Sequence, residues 1–326
     1  MKRCTIIFTL IVGFFFEGGL HADNREFPMI DIRQTIQQLR EHVKILTVTI
    51  GERSVALPAK LEETAAYIKS FYHAIGVTAN SQPYSYADFA VENITAEVSS
   101  RPHPEYRFLL GAHYDSVAGT VGADDNASAI AVQLETARHL AALIGNAKCD
   151  LAVNFVSFAL EEPPAYNTRY MGSRMYARKA RQDKAQIDGM ICLEMVGYTC
   201  HEPGCQDYPF PLMFMDYPKQ GNFIGIVNNF KSRDFAGRLV EQFRKNNHLP
   251  VVKLTVPFNG WVMPAVRLSD HASFWNQGYK AVMVTDSAFY RNPYYHTAAD
   301  TMDKLDFEFM AELVQSLLIF FLSDHK

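Results

Sequence analysis

The sequence predicts a three-layer α/β/α fold built on a mixed, mostly parallel central sheet. Two observations carry that reading. Short, nearly continuous apolar runs recur along the chain, and helical patterns lie between them. Such runs suit strands covered on both faces, and strands alternating with helices are the pattern of a parallel sheet flanked by helical layers. With 326 residues and 48% hydrophobic side chains, the chain can bury a full core. It has no dividing Pro/Gly/Ser linker, repeat or low-complexity tract, so one domain is expected over residues 23–326.

The elements follow in order. Lys2 and Arg3 precede an apolar run from Thr5 to Phe16, and Leu20-His21-Ala22 offers a small-residue cleavage site. That is the layout of a secretory signal, expected over residues 1–22. An uncleaved anchor or a buried first helix is the plainer reading, but the run falls short of the about 20 residues that span a bilayer. A secreted or periplasmic protein is expected, with no stable membrane insertion after cleavage. Ile36, Leu39, Val43 and Leu46 then recur at helical spacing. Leu61, Ala65, Ile68, Tyr72 and Ile75 do so again, with Gly76 placed to end that helix. Ile94, Ala96 and Val98 alternate as in a half-buried strand. Buried strands are expected at Phe108-Leu109-Leu110, Val153 to Ala159, Met190 to Leu193 and Ala281 to Val284. Helices are expected at Ser128 to Leu143, Ser173 to Arg181, Phe235 to Asn246 and Phe307 to Leu322. The stretch from Cys200 to Asn229 reads as loop, an insertion near the site.

Charge and cysteines narrow the function classes. A net charge of -4 gives no reason to expect a basic patch, and nucleic acid is not expected as a partner. Signal cleavage removes Cys4 and leaves Cys149, Cys192, Cys200 and Cys205, an even set that suits an oxidising compartment. Cys200 and Cys205 are near enough to close a small loop, or all of them stand as free thiols.

The chemistry lies where histidines and carboxylates fall relative to the strands. His113 and Asp115 follow the first buried strand, and Asp124, Asp125 and Asn126 open the next helix. Glu161 and Glu162 follow the second strand, Glu194 ends the third, and His296 lies beyond the last. Ligands of open α/β sheets bind at the carboxyl ends of the strands, so these groups collect at one edge. Two imidazoles and three carboxylates suit a pair of divalent cations, with Zn²⁺ the best fit. One carboxylate must bridge metals that dimetal hydrolases hold roughly 3.5–4 Å apart. Adjacent Glu161 and Glu162 cannot point the same way, so one can ligate while the other faces an attacking water. Asp115 could accept the second ring N–H of His113 and fix its tautomer. Taken singly, each histidine reads as a hydrogen-bonded structural residue and each glutamate as a solvated strand end. Their shared edge weakens that alternative.

The segments Gly111-Ala112-His113-Tyr114-Asp115-Ser116 and Gly122-Ala123-Asp124-Asp125-Asn126-Ala127-Ser128 resemble signatures of the co-catalytic zinc aminopeptidases, metallopeptidase family twenty-eight. So do Glu161-Glu162, Ser269-Asp270-His271-Ala272-Ser273-Phe274 and Tyr295-His296-Thr297 with Asp300-Thr301. The resemblance runs from about Gln34 to near the C-terminus. It implies a zinc-exopeptidase-like (phosphorylase/hydrolase-like) fold, two zinc ions and a peptide substrate cut from its N-terminus. It places His113 and Glu194 on one metal, Glu162 and His296 on the other, Asp125 between them, and Glu161 as general base. A serine hydrolase finds no support, since no Gly-x-Ser-x-Gly elbow is present. Glutaminyl cyclases, related carboxypeptidases and non-catalytic relatives share the fold. Three departures stand out. Glu194 replaces the usual Asp, the link from Pro163 to Met171 is longer than usual, and the Cys-Gly-Tyr-x-Cys segment of some relatives is missing. Arg267, Tyr295 or a metal must then polarise the substrate carbonyl. His271 reads as a support behind the ligands or as structural, because the ligand set is complete without it.

Overall fold

The computed structural model describes residues 29–147, 149–209 and 217–325, so the signal expected at residues 1–22 lies outside the described residues. The four apolar runs form the centre of the sheet. They are β3 (Tyr106–His113), β4 (Leu151–Phe158), β5 (Gly189–Glu194) and β8 (Ala281–Thr285). They lie in the order β4-β3-β5-β8, all parallel. Their burial on both faces explains why the sequence shows no alternation there.

Antiparallel pairings flank this centre. β2 (Phe89–Ser99) runs against β4, and β1 (Ala79–Tyr86) runs against β2 at the edge. On the other side β6 (Ile224–Asn229) runs against β8 and carries β7 (Val251–Val256) parallel to itself. The eight-stranded sheet is thus mixed, with four of its seven pairings parallel. β1, β6 and β7 are findings of the structure. The expected loop from Cys200 to Asn229 ends in β6, whose Ile-Gly-Ile-Val-Asn-Asn is too short and polar to announce itself. β1 reads Ala-Asn-Ser-Gln-Pro-Tyr-Ser-Tyr and is held by pairing with β2 rather than by propensity.

Helices cover both faces. α1 (Ile32–Lys44), α2 (Pro58–Ala74), α3 (Ala129–Leu143), α5 (Arg233–Phe243) and α7 (Phe307–Phe321) share the larger core. α4 (Gly172–Gln182) and α6 (His271–Asn276) pack over the other face with Phe158, Phe274 and Trp275. α7 is buried nearly all round, as its continuous apolar sequence requires. Gly76, at φ +77°, follows α2 in the left-handed conformation that ends helices. Because the central strands are parallel, their carboxyl ends meet at one edge, and the predicted groups meet with them.

The start of α4 is pinned to that edge by a close approach. Gly172 N donates to Ala159 O at 2.8 Å, while Asn93 bridges Ala159 N and Gly172 O. A Cβ on Gly172 would lie 2.3 Å from both Ala159 O and Asn93 Oδ1. We expect Gly172→Ala to cost about 2 kcal/mol by overpacking, read as a fall of several degrees in a calorimetric scan. An unchanged transition would show that the backbone there can give way.

Candidate metal centre

His113 closes β3, and its Nε2 stands 3.4 Å from Asp125 Oδ1 and 3.5 Å from Glu194 Oε2. Across Asp125, His296 Nε2 is 3.2 Å from Asp125 Oδ2 and 3.4 Å from Glu162 Oε2. The two triads, His113-Asp125-Glu194 and Asp125-Glu162-His296, share Asp125 alone. Ligand atoms around a tetrahedral zinc with bonds of about 2.0–2.2 Å stand about 3.4 Å apart. The observed spacing fits that geometry. His113 Nε2, Asp125 Oδ1 and Glu162 Oε1 are also buried without a hydrogen-bond partner, which native interiors seldom tolerate.

The charges say the same. Burial lifts Glu161 well above the usual carboxylate range, with Glu194, Glu162 and Asp270 adding to it and His113 opposing. Burial, with Asp125 beside it, pushes Glu162 up to about 8. Burial alone would depress the imidazoles, yet His113 is raised by Glu194 and its bonds to the carboxylates, and His296 reaches about 10. The three glutamates and both imidazoles rise together, while Asp125 is held low between the two histidines, the mark of a crowd of carboxylates around two imidazoles. A cation is what the set calls for.

Local structure holds each ligand. Asp115 Oδ1 accepts from Glu161 N and Oδ2 from Glu162 N, both at 3.0 Å. Its Oδ1 also lies 3.3 Å from His113 Nδ1, so Asp115 orients the imidazole and grips the Glu-Glu step. Ser269 Oγ donates to Glu194 Oε2 at 2.5 Å. The longer side chain of Glu194 therefore still reaches its triad. Asp124 turns away, accepting from Gly197 N and Asn292 Nδ2 at 2.9 and 2.7 Å. Leu160, Met195 and His296 have φ of +59°, +46° and +55°. Such conformations are costly for side-chain-bearing residues and gather at functional sites.

Two supporting residues escaped the sequence reading. Asp300 appeared only as part of a motif. It accepts from Asp124 N at 2.9 Å and Asp125 N at 3.2 Å, and burial raises its carboxyl to about 7. Arg53 is fully buried and spends its guanidinium on main-chain oxygens of Leu46, Gly51, Tyr114, Val121 and Gly122. A lone arginine outside any motif carries no periodic signal. Gly122 itself has φ +51°, and a Cβ there would fall 2.1 Å from Asp125 O, so only glycine fits.

The remaining predicted residues sort cleanly. Arg267 lays its guanidinium 4.0 Å over the Trp261 ring and bonds Asn259 O and Asn276 Oδ1. It braces a loop and, among the described residues, makes no ion pair. Tyr295 stacks on His296 at 3.7 Å and, with Glu194, lines a mainly apolar pocket. Phe289, Leu268, Val227 and Leu254 also wall this pocket. Cys200 and Cys205 are disulfide-bonded, whereas Cys149 and Cys192 are free. His271 bonds Val266 O at 2.8 Å and meets Trp275 edge-on, a structural histidine as expected.

The profile of peptidase family M28 matches residues 93–320. The chain belongs to peptidase family M28. This family is metal-dependent, in keeping with the two triads. The M28 chain is 32% identical over 320 residues to the uncharacterized protein YfbL of Escherichia coli (strain K12), covering 96% of this chain and 94% of that one. It is 26% identical over 223 residues to a probable leucine aminopeptidase of Arthroderma otae, and spans about half (52%) of that relative's length. Among solved structures, the Legionella pneumophila LapA aminopeptidase superposes with a TM-score of 0.67 at 19% identity, over 92% of this chain and 77% of the other. A Tannerella forsythia glutaminyl cyclase gives 0.63 at 18% identity, over 91% and 99%. These likenesses establish the fold.

Burial holds His271 neutral, lowering its pKa to about 3, against about 6.5 when unfolded. The unfolded chain therefore takes up that proton first, and this contribution to stability, full above pH about 6.5, drains away as pH falls towards 3. We expect the melting-temperature advantage of wild type over His271→Gln to shrink steadily between pH 6.5 and 4. A constant difference across that range would mean the imidazole is not held neutral.

Proposed function

We propose that the protein is a secreted or periplasmic zinc aminopeptidase that hydrolyses the N-terminal peptide bond of its substrates. One observation carries this reading: Asp125 gives one oxygen to each of two histidine-carboxylate triads, and Glu161 belongs to neither yet feels His113, Glu194 and Glu162 from both. His113, Asp125 and Glu194 would hold one zinc, and Asp125, Glu162 and His296 the other. Bound there, divalent cations lower the pKa of water and polarise a carbonyl.

The chain's own groups supply the rest. Glu161, its pKa raised by burial, takes a proton from the attacking water and returns it to the leaving amine. Asp115 keeps its orientation by holding the Glu161 and Glu162 N–H groups. Tyr295 is set against His296 at the mouth of the pocket, and its phenol feels Asp125, Glu162, Glu194 and Glu161. It is placed to donate to the substrate carbonyl, a part for which Arg267 is unsuited because its guanidinium is engaged elsewhere. The apolar pocket beside Glu194 and Tyr295 suits an aliphatic or aromatic N-terminal side chain.

The deciding experiment incubates the protein and zinc with an unblocked peptide beginning with Gln, followed by mass spectrometry. Stepwise loss of N-terminal residues supports the proposal. Trimming from the other end would make it a carboxypeptidase, and loss of ammonia alone a cyclase. Glu161→Gln should keep its metals and lose about 10²–10⁴ in kcat; near-wild-type turnover would remove Glu161 as base. Asp125→Ala should lose metal from both sites by elemental analysis, and an unchanged content would contradict the shared ligand.

A further inference from the structure

The sequence gives no reason to expect a basic surface, yet the structure builds one on the helix that leads away from the site. α4 reads Gly-Ser-Arg-Met-Tyr-Ala-Arg-Lys-Ala-Arg-Gln. Its Ser173, Ala177 and Ala180 are buried against the molecule. Arg174, Arg178 and Arg181 each follow one of these by one residue, so they line a neighbouring stripe at i, i+4 and i+7. Arg178 and Arg181 are exposed. Among the described residues none of the three arginines forms an ion pair, whereas neighbouring Lys179 pairs with Asp183 at 2.7 Å.

The stripe starts at the site. Tyr166 N donates to Glu162 O at 3.0 Å, and Tyr166 lies within electrostatic reach of both Glu161 and Arg174. Arg174 caps this loop by bonding Asn167 O and Oδ1. From Arg174 to Arg181 the helix rises about 10 Å, the span of about three residues of an extended peptide.

The position relative to the pocket gives the stripe a use. The apolar pocket lies over β5, β8, β6 and β7, whereas α4 follows β4 on the other flank of the metal ligands. An aminopeptidase has one residue upstream of the cut bond, and the pocket receives it. The rest of the substrate must leave on the opposite flank. We propose that Arg178 and Arg181, with Arg174 braced on Asn167 at their head, form a track for the downstream part of the substrate, selecting peptides with acidic residues shortly after the scissile bond. This rests on the aminopeptidase reading above.

The test compares Leu-Ala-Glu-Glu-Glu-Ala with Leu-Ala-Gln-Gln-Gln-Ala at low and high salt. At low salt the acidic peptide should show a KM about five-fold lower, as a few exposed ion pairs provide. High salt should erase the difference, and R178Q/R181Q should bring the two peptides together. Equal KM values in wild type at low salt would overturn the track. If neither peptide releases leucine, the aminopeptidase reading fails instead, and fluorescence anisotropy of the labelled peptides judges the stripe. Tighter binding of the acidic peptide, weakened in R178Q/R181Q, then supports it, and equal binding overturns it. Sedimentation with phosphatidylglycerol vesicles, without discrimination between the peptides, would assign the stripe to a membrane surface and overturn the proposal as well.

Discussion

Everything around the site depends on one carboxylate having to face two ways. Asp125 presents Oδ1 to His113 and Oδ2 to His296, and no single side-chain torsion could secure this without a rigid main chain behind it. That rigidity is built from below. Asp300 holds the N–H groups of Asp124 and Asp125 with its two oxygens, Gly122 brings the chain in where a Cβ has no room, and Arg53 ties Gly122 and Val121 to Tyr114. The same guanidinium also offers positive charge to Asp115, Asp300, Asp125 and Glu162, which offsets burial and leaves its pKa at about 10. A neutral tether would satisfy the carbonyls but leave the acids unopposed.

The parallel sheet makes such a site affordable. Each central strand delivers its carboxyl end to the same edge, so the ligands arrive on separate, independently anchored elements. The strain sits just past two of these strands: at Leu160, two residues beyond β4, and at Met195, directly after β5. Packing that over-determines the backbone can hold such residues left-handed, and here Asp115 and Asn126 supply the determination. Asp115 takes both Glu N–H groups, and Asn126 Oδ1 accepts from Met195 N at 2.9 Å.

Much of this was legible in the sequence because the signals are local. Buried strands are short and apolar, and ligands that end or follow them can be counted from the strand. The structure brings His113, Asp125 and Glu194 together, and Asp125, Glu162 and His296, the grouping that the family resemblance implies. What stayed hidden depends on contacts far apart in the chain. Asp300 is 175 residues from Asp125, and Arg53 is 69 from Gly122; neither spacing leaves a pattern. β1 and β6 were invisible because pairing partners, rather than composition, make them strands. The basic stripe was masked by averaging, since a chain of net charge -4 can still concentrate arginines on one helix.

The metal ligands alone do not say which end of a peptide is read; the asymmetry around them does. One flank is a mainly apolar pocket walled by Tyr295, Phe289 and Leu268, and the other is an exposed row of guanidiniums. A free N-terminal residue with an apolar side chain has no charge to offer beyond its amine, and the carboxylates of the site can receive that amine. The charge layout therefore supports the proposed reading from the N-terminus.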